Sequence, residues 1–141
     1  MLSLDDPKFI NKYDKSRTLG VIGSFPRQCL EAERIGSELN ISHSYKIPYR
    51  NIVCAGLGGS AAGSDILRAY LWNEAKVPLF VNRNYLLPAF TGRRTLVIAS
   101  SYSGDTEETL SAYRDAKKRR AKLVVVTSGG RLRDKIGRAH V

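Results

Sequence analysis

Ser101-Tyr-Ser-Gly-Asp-Thr-Glu-Glu-Thr109 is the stretch whose reading decides the fold. It follows Thr95-Leu-Val-Ile-Ala-Ser100, an apolar run that reads as a buried strand. It precedes a run that reads as a helix from about Thr106 to Arg119. Ser101, Ser103 and Thr106 thus place three hydroxyls on a strand-to-helix turn, and Gly104 lets the backbone bend there. A helix N-terminus carries unpaired N–H groups and a partial positive charge, so it suits an anion. Hydroxyls and free amides together make a phosphate cradle that needs no lysine. The alternative is purely structural: Asp105 caps the helix and Glu108 completes a capping box. Capping accounts for the two acids but leaves both serines and the glycine without a role.

The same strand, glycine turn and helix pattern recurs on both sides of this stretch. Asn51-Ile-Val-Cys-Ala55 reads as a first strand covered on both faces, because it lacks polar alternation. Gly56 to Gly63 reads as a turn. A helix from Ser64 to about Asn73 follows, with Ile66, Leu67, Tyr70 and Leu71 on one side. Val77-Pro-Leu-Phe-Val81 is the second strand, Thr95 to Ser100 the third, and Lys122-Leu-Val-Val-Val-Thr127 the fourth. Ser128-Gly-Gly-Arg131 is a third glycine turn before another helix. Strands that alternate with helices imply an α/β fold of three layers, with a parallel sheet between helices.

Residues 1–47 read as a helical N-terminal segment, with helices over about 7–13, 15–23 and 25–39. Asp6 and Asp14 are the candidate caps, and Pro26 sits in a first turn. Cys29, Leu30, Ala32 and Ile35 are the candidate inward positions of the third helix. The segment has too few turn signals for a helix-turn-helix domain. It is expected to pack on the sheet or on a partner subunit.

Composition narrows the class. The 141 residues amount to about one domain, with 43% hydrophobic residues. No apolar run approaches a membrane span, and the acidic start Met-Leu-Ser-Leu-Asp-Asp lacks the order of a signal peptide. The two cysteines, Cys29 and Cys54, have no metal-like spacing, so a cytoplasmic location is the default. The net charge of +10 favours anionic partners in general. Its densest cluster, Arg114 with Lys117-Lys-Arg-Arg120, lies at a helix C-terminus and has no interleaved aromatics. It reads as a solvated helix end and not as a nucleic-acid site.

Gly56-Leu-Gly-Gly-Ser-Ala-Ala-Gly63 admits two ligand readings beside a structural turn. It fits the dinucleotide fingerprint loosely, through Gly56, Gly58 and Ala61. Asn82-Arg83 stands where that fingerprint wants an acid, which would suit NADP. The other reading is a sugar-phosphate loop, with Gly59 and Ser60 touching the ligand. Topology separates them. In a flavodoxin-like order 2-1-3-4, the loops after strands one and three meet where strand order reverses. Those are the Gly59-Ser60 loop and the Ser101–Thr106 loop. In the dinucleotide fold, strand one instead faces strand four across the crevice.

The segments 56–63, 101–110 (Ser-Tyr-Ser-Gly-Asp-Thr-Glu-Glu-Thr-Leu) and 127–132 (Thr-Ser-Gly-Gly-Arg-Leu) resemble the sugar isomerase (SIS) domain. Their order and spacing, with Arg83-Asn-Tyr-Leu-Leu-Pro88, are similar to the N-terminal half of bifunctional phosphoglucose/phosphomannose isomerases. Asp105 departs from the asparagine usual in that family. The resemblance implies interconversion of glucose 6-phosphate or mannose 6-phosphate with fructose 6-phosphate through a cis-enediol(ate). It assigns Gly59, Ser60, Ser101, Ser103 and Thr106 to substrate, the last three mainly to phosphate. It implies no metal or organic cofactor, and a homodimer for the intact enzyme. The catalytic glutamate and histidine are expected in a second SIS half, so the chain alone is expected to be inactive. Glu107, Glu108, His43 and His140 are not expected to replace them. A non-catalytic SIS-type sugar-phosphate sensor is the alternative, and an NADP-dependent oxidoreductase a weaker one. The first SIS domain is placed at 48–135. Residues 136–141, Ile-Gly-Arg-Ala-His-Val, match a common sequencing adapter and are read as non-native.

Overall fold

A computed structural model describes residues 5–40 and 42–136. His140 and nearly all of the stretch read as adapter lie outside the described residues. The chain divides into two compact units, residues 1–41 and 42–141.

The first unit holds α1 (Pro7–Tyr13), α2 (Thr18–Gly23) and α3 (Phe25–Glu38). Asp6 caps α1 by accepting from the Lys8 amide at 2.9 Å. Asp14 accepts from the Thr18 and Leu19 amides, so the second helix starts at Thr18 and not at residue 15. The expected inward set of α3 is not inward: Cys29, Leu30, Ala32 and Ile35 are all exposed. No described residue of α1, α2 or α3 is buried. Helices of this length enclose too little volume to sequester an apolar stripe by themselves.

The second unit carries the sheet. Its strands are β1 (Asn51–Ala55), β2 (Leu79–Asn82), β3 (Thr95–Ser101) and β4 (Lys122–Thr127). All pairings are parallel, and the order is β2-β1-β3-β4. This is the doubly wound α/β arrangement expected from the repeating strand, turn and helix pattern. β2 begins two residues later than the sequence suggested. Pro78 has no N–H for the ladder and contributes only its carbonyl, which accepts from the Ile52 amide.

Register sorts the strand residues onto two faces. Val53, Val97 and Leu123 lie abreast, as do Ala55, Ala99 and Val125. This face packs on α5 (Glu107–Lys118) through Ala112 and Ala116, with Leu87 from the β2–β3 connection. Leu110 and Tyr113 of α5 and Leu132 of α6 (Gly130–Ile136) form an adjoining cluster. Burying side chains of this size stabilises the unit by roughly 1.5–3 kcal/mol each. Cys54 points to the opposite face and meets Ser64 of α4 (Gly59–Tyr70). Burial raises the Cys54 thiol pKa, with the Ser64 contact opposing it.

The glycine-rich segment behaves differently from its composition. Its second half is not turn but the start of α4, which begins at Gly59. The expected inward side of α4 also fails. Ile66 and Tyr70 are 65% and 75% exposed, Leu67 is exposed and Leu71 half-buried. The inward line runs through buried Ala61 and half-buried Ser64, which meets Cys54 of β1.

Candidate functional site

Two helices start at the carboxyl ends of β1 and β3, beside the point where strand order reverses. α4 begins after β1 at Gly59, and α5 begins after β3 at Glu107. Neither N-terminus has a side-chain cap. The capping-box expectation for Asp105 and Glu108 is therefore corrected: Thr106 is the N-cap, and Asp105 bonds elsewhere. Amides of both first turns remain without a side-chain acceptor and carry the positive ends of two helix dipoles.

Between them lies an open cavity. Its polar lining is Gly59, Ser60, Ser100, Ser103, Thr106, Thr127 and Ser128. Leu57, Tyr102 and Val126 supply its apolar part. Of the five residues picked from sequence, Gly59, Ser60, Ser103 and Thr106 line this cavity. Ser101 does not. It is 2% exposed and lies beneath the loop. Its Oγ accepts from the Gly104 amide at 3.1 Å and shares a 3.0 Å hydrogen bond with the Thr106 hydroxyl. Ser101 thus orients Thr106 and shapes the turn from below. Ser103 Oγ accepts from the Asp105 amide at 3.3 Å. Sequence reasoning did not single out Ser100, Thr127 or Ser128. The third glycine turn was the available signal, since it ends a strand adjacent to β3.

That third turn holds the hydroxyl loop in place. The Ser128 amide donates to the Tyr102 carbonyl at 3.2 Å, and the Ser128 hydroxyl donates to the same oxygen. The Leu132 amide donates to the Gly104 carbonyl at 2.9 Å. The approach requires glycine on both sides. Gly104 has φ +72°, and a Cβ there would lie 1.8 Å from the Gly129 carbonyl oxygen. Gly130 has φ +65°, and its Cβ would lie 2.2 Å from the Ser103 carbonyl oxygen.

Asp105 turns toward this neighbour. Its Oδ1 accepts from the Arg131 amide at 3.1 Å and from Arg131 Nε at 3.0 Å. Arg131 Nη2 also donates to the Asp105 carbonyl at 3.1 Å. The Arg131 backbone N–H, then its side chain, lowers the Asp105 pKa below the ordinary carboxylate value. Asp105 does not line the cavity.

Other candidate groups are engaged away from the cavity. Arg83, the residue that would have suited a 2′-phosphate, is ion-paired with Asp65. β1 pairs with β2 and β3, not with β4, so the strand order is not that of the dinucleotide fold. Glu107 is exposed and accepts from the Tyr85 hydroxyl at 3.5 Å. The charge of Glu108, then burial and Glu107, raises the Tyr85 pKa. His43 sits exposed in a short helical turn before β1. Among the described residues lining the cavity there is no carboxylate and no histidine.

No family model matches the chain. Comparison with known sequences finds relatives over part of their length. The chain is 46% identical over 111 residues to a bifunctional phosphoglucose/phosphomannose isomerase of Caldicellulosiruptor bescii. The one from Thermoplasma acidophilum is 49% identical over 84 residues. These matches cover 79% and 60% of this chain but only 32% and 26% of the two relatives. The chain therefore spans about a third of the length of the isomerases it resembles. Other relatives carry the same name, and a D-glucosamine-6-phosphate 4-epimerase of Sulfolobus acidocaldarius is 34% identical over 80 residues. Among solved structures, a tagatose-6-phosphate ketose/aldose isomerase from Escherichia coli superposes with a TM-score of 0.51 at 20% identity. That match covers 65% of this chain and 27% of the other, and it concerns the fold. The four parallel strands in order 2-1-3-4, flanked by helices, are those of the SIS phosphosugar isomerases.

Proposed function

We propose that this chain is the sugar-phosphate-binding part of an aldose–ketose isomerase. The reaction would interconvert glucose 6-phosphate or mannose 6-phosphate with fructose 6-phosphate through a cis-enediol(ate). The carrying observation is the convergence of two side-chain-uncapped helix N-termini, with Ser60, Ser103 and Thr106, on one cavity. The similarity to phosphoglucose/phosphomannose isomerases supports the choice of ligand.

In this reading the phosphate sits against the first turn of α5. It accepts from backbone amides and from the Ser103 and Thr106 hydroxyls, while Ser101 holds Thr106 in rotamer from below. Gly59 and Ser60 face the sugar end of the ligand. Three or four charge-assisted hydrogen bonds contribute roughly 1.5–3 kcal/mol each. Association and ordering cost about 4–15 kcal/mol, which offsets most of that gain, so binding is expected to be millimolar or weaker.

The proton transfer between neighbouring carbons needs a base within hydrogen-bond reach of the substrate. The cavity lining supplies none among the described residues. Glu107 and Glu108 belong to the α5 first turn, and neither lines the cavity. The 141-residue chain is therefore expected to bind fructose 6-phosphate weakly and not to isomerise it. An NMR titration of the labelled chain with fructose 6-phosphate tests the binding. Shifts confined to residues 58–61, 101–107 and 126–129 support the proposal. Equal shifts with NADPH, or none with the sugar phosphate, refute it. Turnover by the pure chain would refute the assignment of the base to other groups.

A further inference from the structure

We propose that Arg131 is a positioning residue for the anion cradle, acting through Asp105. The inference rests on the sugar-phosphate reading of the cavity. The Ser101–Thr106 loop carries a carboxylate, Asp105, next to cavity-lining Thr106 and two residues from cavity-lining Ser103. A bare negative charge there opposes the binding of a phosphate. Arg131 removes that opposition in two ways. Its guanidinium neutralises Asp105, with Nε at 3.0 Å from Oδ1 and Nη2 on the Asp105 carbonyl. Its backbone N–H holds the same Oδ1 at 3.1 Å, turning the carboxylate away from the cavity and toward α6.

The pair also fastens the loop. Gly104 and Gly130 bring the two turns within backbone contact, and the Leu132 amide bonds the Gly104 carbonyl. Arg131 closes the outer side of this junction, bonding both the side chain and the main chain of Asp105. It has no place in the cavity lining, so its effect on a ligand passes through the loop. A surface ion pair of this kind adds little to global stability. Its consequence is local: it sets the charge and the shape of the turn that meets the anion.

Charge logic gives this arrangement a distinctive pattern of variants. R131M leaves Asp105 uncompensated, so fructose 6-phosphate binding falls about tenfold, the scale of one unpaired charge acting over several ångströms near a protein surface. D105N keeps an oxygen for the Arg131 amide and adds one net positive charge, so binding tightens by about two- to threefold. In D105N/R131M no bare carboxylate remains, and the backbone tie from residue 131 to residue 105 is retained. Binding returns to within about threefold of the wild type.

The experiment is an NMR titration of the four 141-residue chains with fructose 6-phosphate, with amide hydrogen exchange measured on the same ligand-free samples. Loss in R131M with recovery in the double variant, and faster exchange of the Gly104–Thr106 amides in R131M, supports the proposal. R131M binding as the wild type does would overturn it. So would a double variant as weak as R131M, since Arg131 would then touch the ligand or act only on the fold. If the wild type shows no ligand shifts, the sugar-phosphate reading fails. The clamp is then decided by exchange alone, and unchanged exchange in R131M overturns it.

Discussion

Gly104→Ala is the most demanding test of how the loops are built. Gly104 has φ +72°, a conformation that costs an L-residue about 1–2 kcal/mol. The added Cβ would also lie 1.8 Å from the Gly129 carbonyl oxygen and 2.9 Å from Thr127 Oγ1. The first of these is backbone and cannot swing aside as a side chain would. The turns must separate, which strains the 2.9 Å bond from the Leu132 amide to the Gly104 carbonyl. It also strains the 3.2 Å bond from the Ser128 amide to the Tyr102 carbonyl. Each such bond contributes roughly 0.5–1.5 kcal/mol. The total loss is roughly 2–5 kcal/mol, a large share of the stability of a small domain. A fall in Tm of roughly 10 °C is expected by circular dichroism, with weaker fructose 6-phosphate binding. Gly92→Ala is the control, because a Cβ at Gly92 meets nothing within 4 Å and its φ is not positive. A Gly104→Ala chain that melts within about 2 °C of the wild type, or no lower than Gly92→Ala, would refute the interlocked-turn account.

Ser101→Ala should destabilise by about 0.5–1.5 kcal/mol, because the Gly104 amide keeps only the Ser101 carbonyl as acceptor and the Thr106 hydroxyl is released. Urea unfolding measures the loss, and an unchanged midpoint would contradict the buried role. Ser103→Ala, at an exposed cavity-lining position, should leave Tm nearly unchanged and weaken fructose 6-phosphate binding. The reverse pattern in a melting and titration series would exchange the roles of the two serines. Acid should loosen the Asp105–Arg131 pair. The folded Asp105 pKa lies below its ordinary value of 3.8, so the contribution is present above that value and fades as pH falls through the folded pKa. Hydrogen exchange at the Asp105 and Arg131 amides should therefore accelerate below pH 3.8 in the wild type and less so in D105N. Equal acceleration in both would detach the effect from this carboxylate.

Much of the hydroxyl turn was legible because its signals are local. A strand, a glycine turn with hydroxyls and a helix occupy adjacent residues, so Ser103 and Thr106 fall at the turn whatever surrounds it. Ser101 was legible as a loop hydroxyl but not as a buried one. Its depth depends on Thr127, Ser128 and Gly129 closing over the loop from the next turn. The α4 face was also misread. Ile66 and Tyr70 carry the stronger apolar signal, yet they are exposed, while Ala61 is buried and Ser64 meets Cys54 of β1. Glycine composition placed the α4 start too late. Gly59 and Gly63 have low helix propensity, and packing over β1 outweighed it.

The alternation of apolar strands with helices, and the hydroxyls that end β3, were determined by the sequence itself. Those features follow from backbone periodicity and from neighbours in the chain. Only the tertiary structure decided the partner of Asp105. Read locally, this acid is a helix cap. In the fold it meets Arg131, 26 residues away, because parallel pairing of β3 with β4 brings the two following turns side by side. Pairings across that distance depend on strand order and register, which no local pattern encodes.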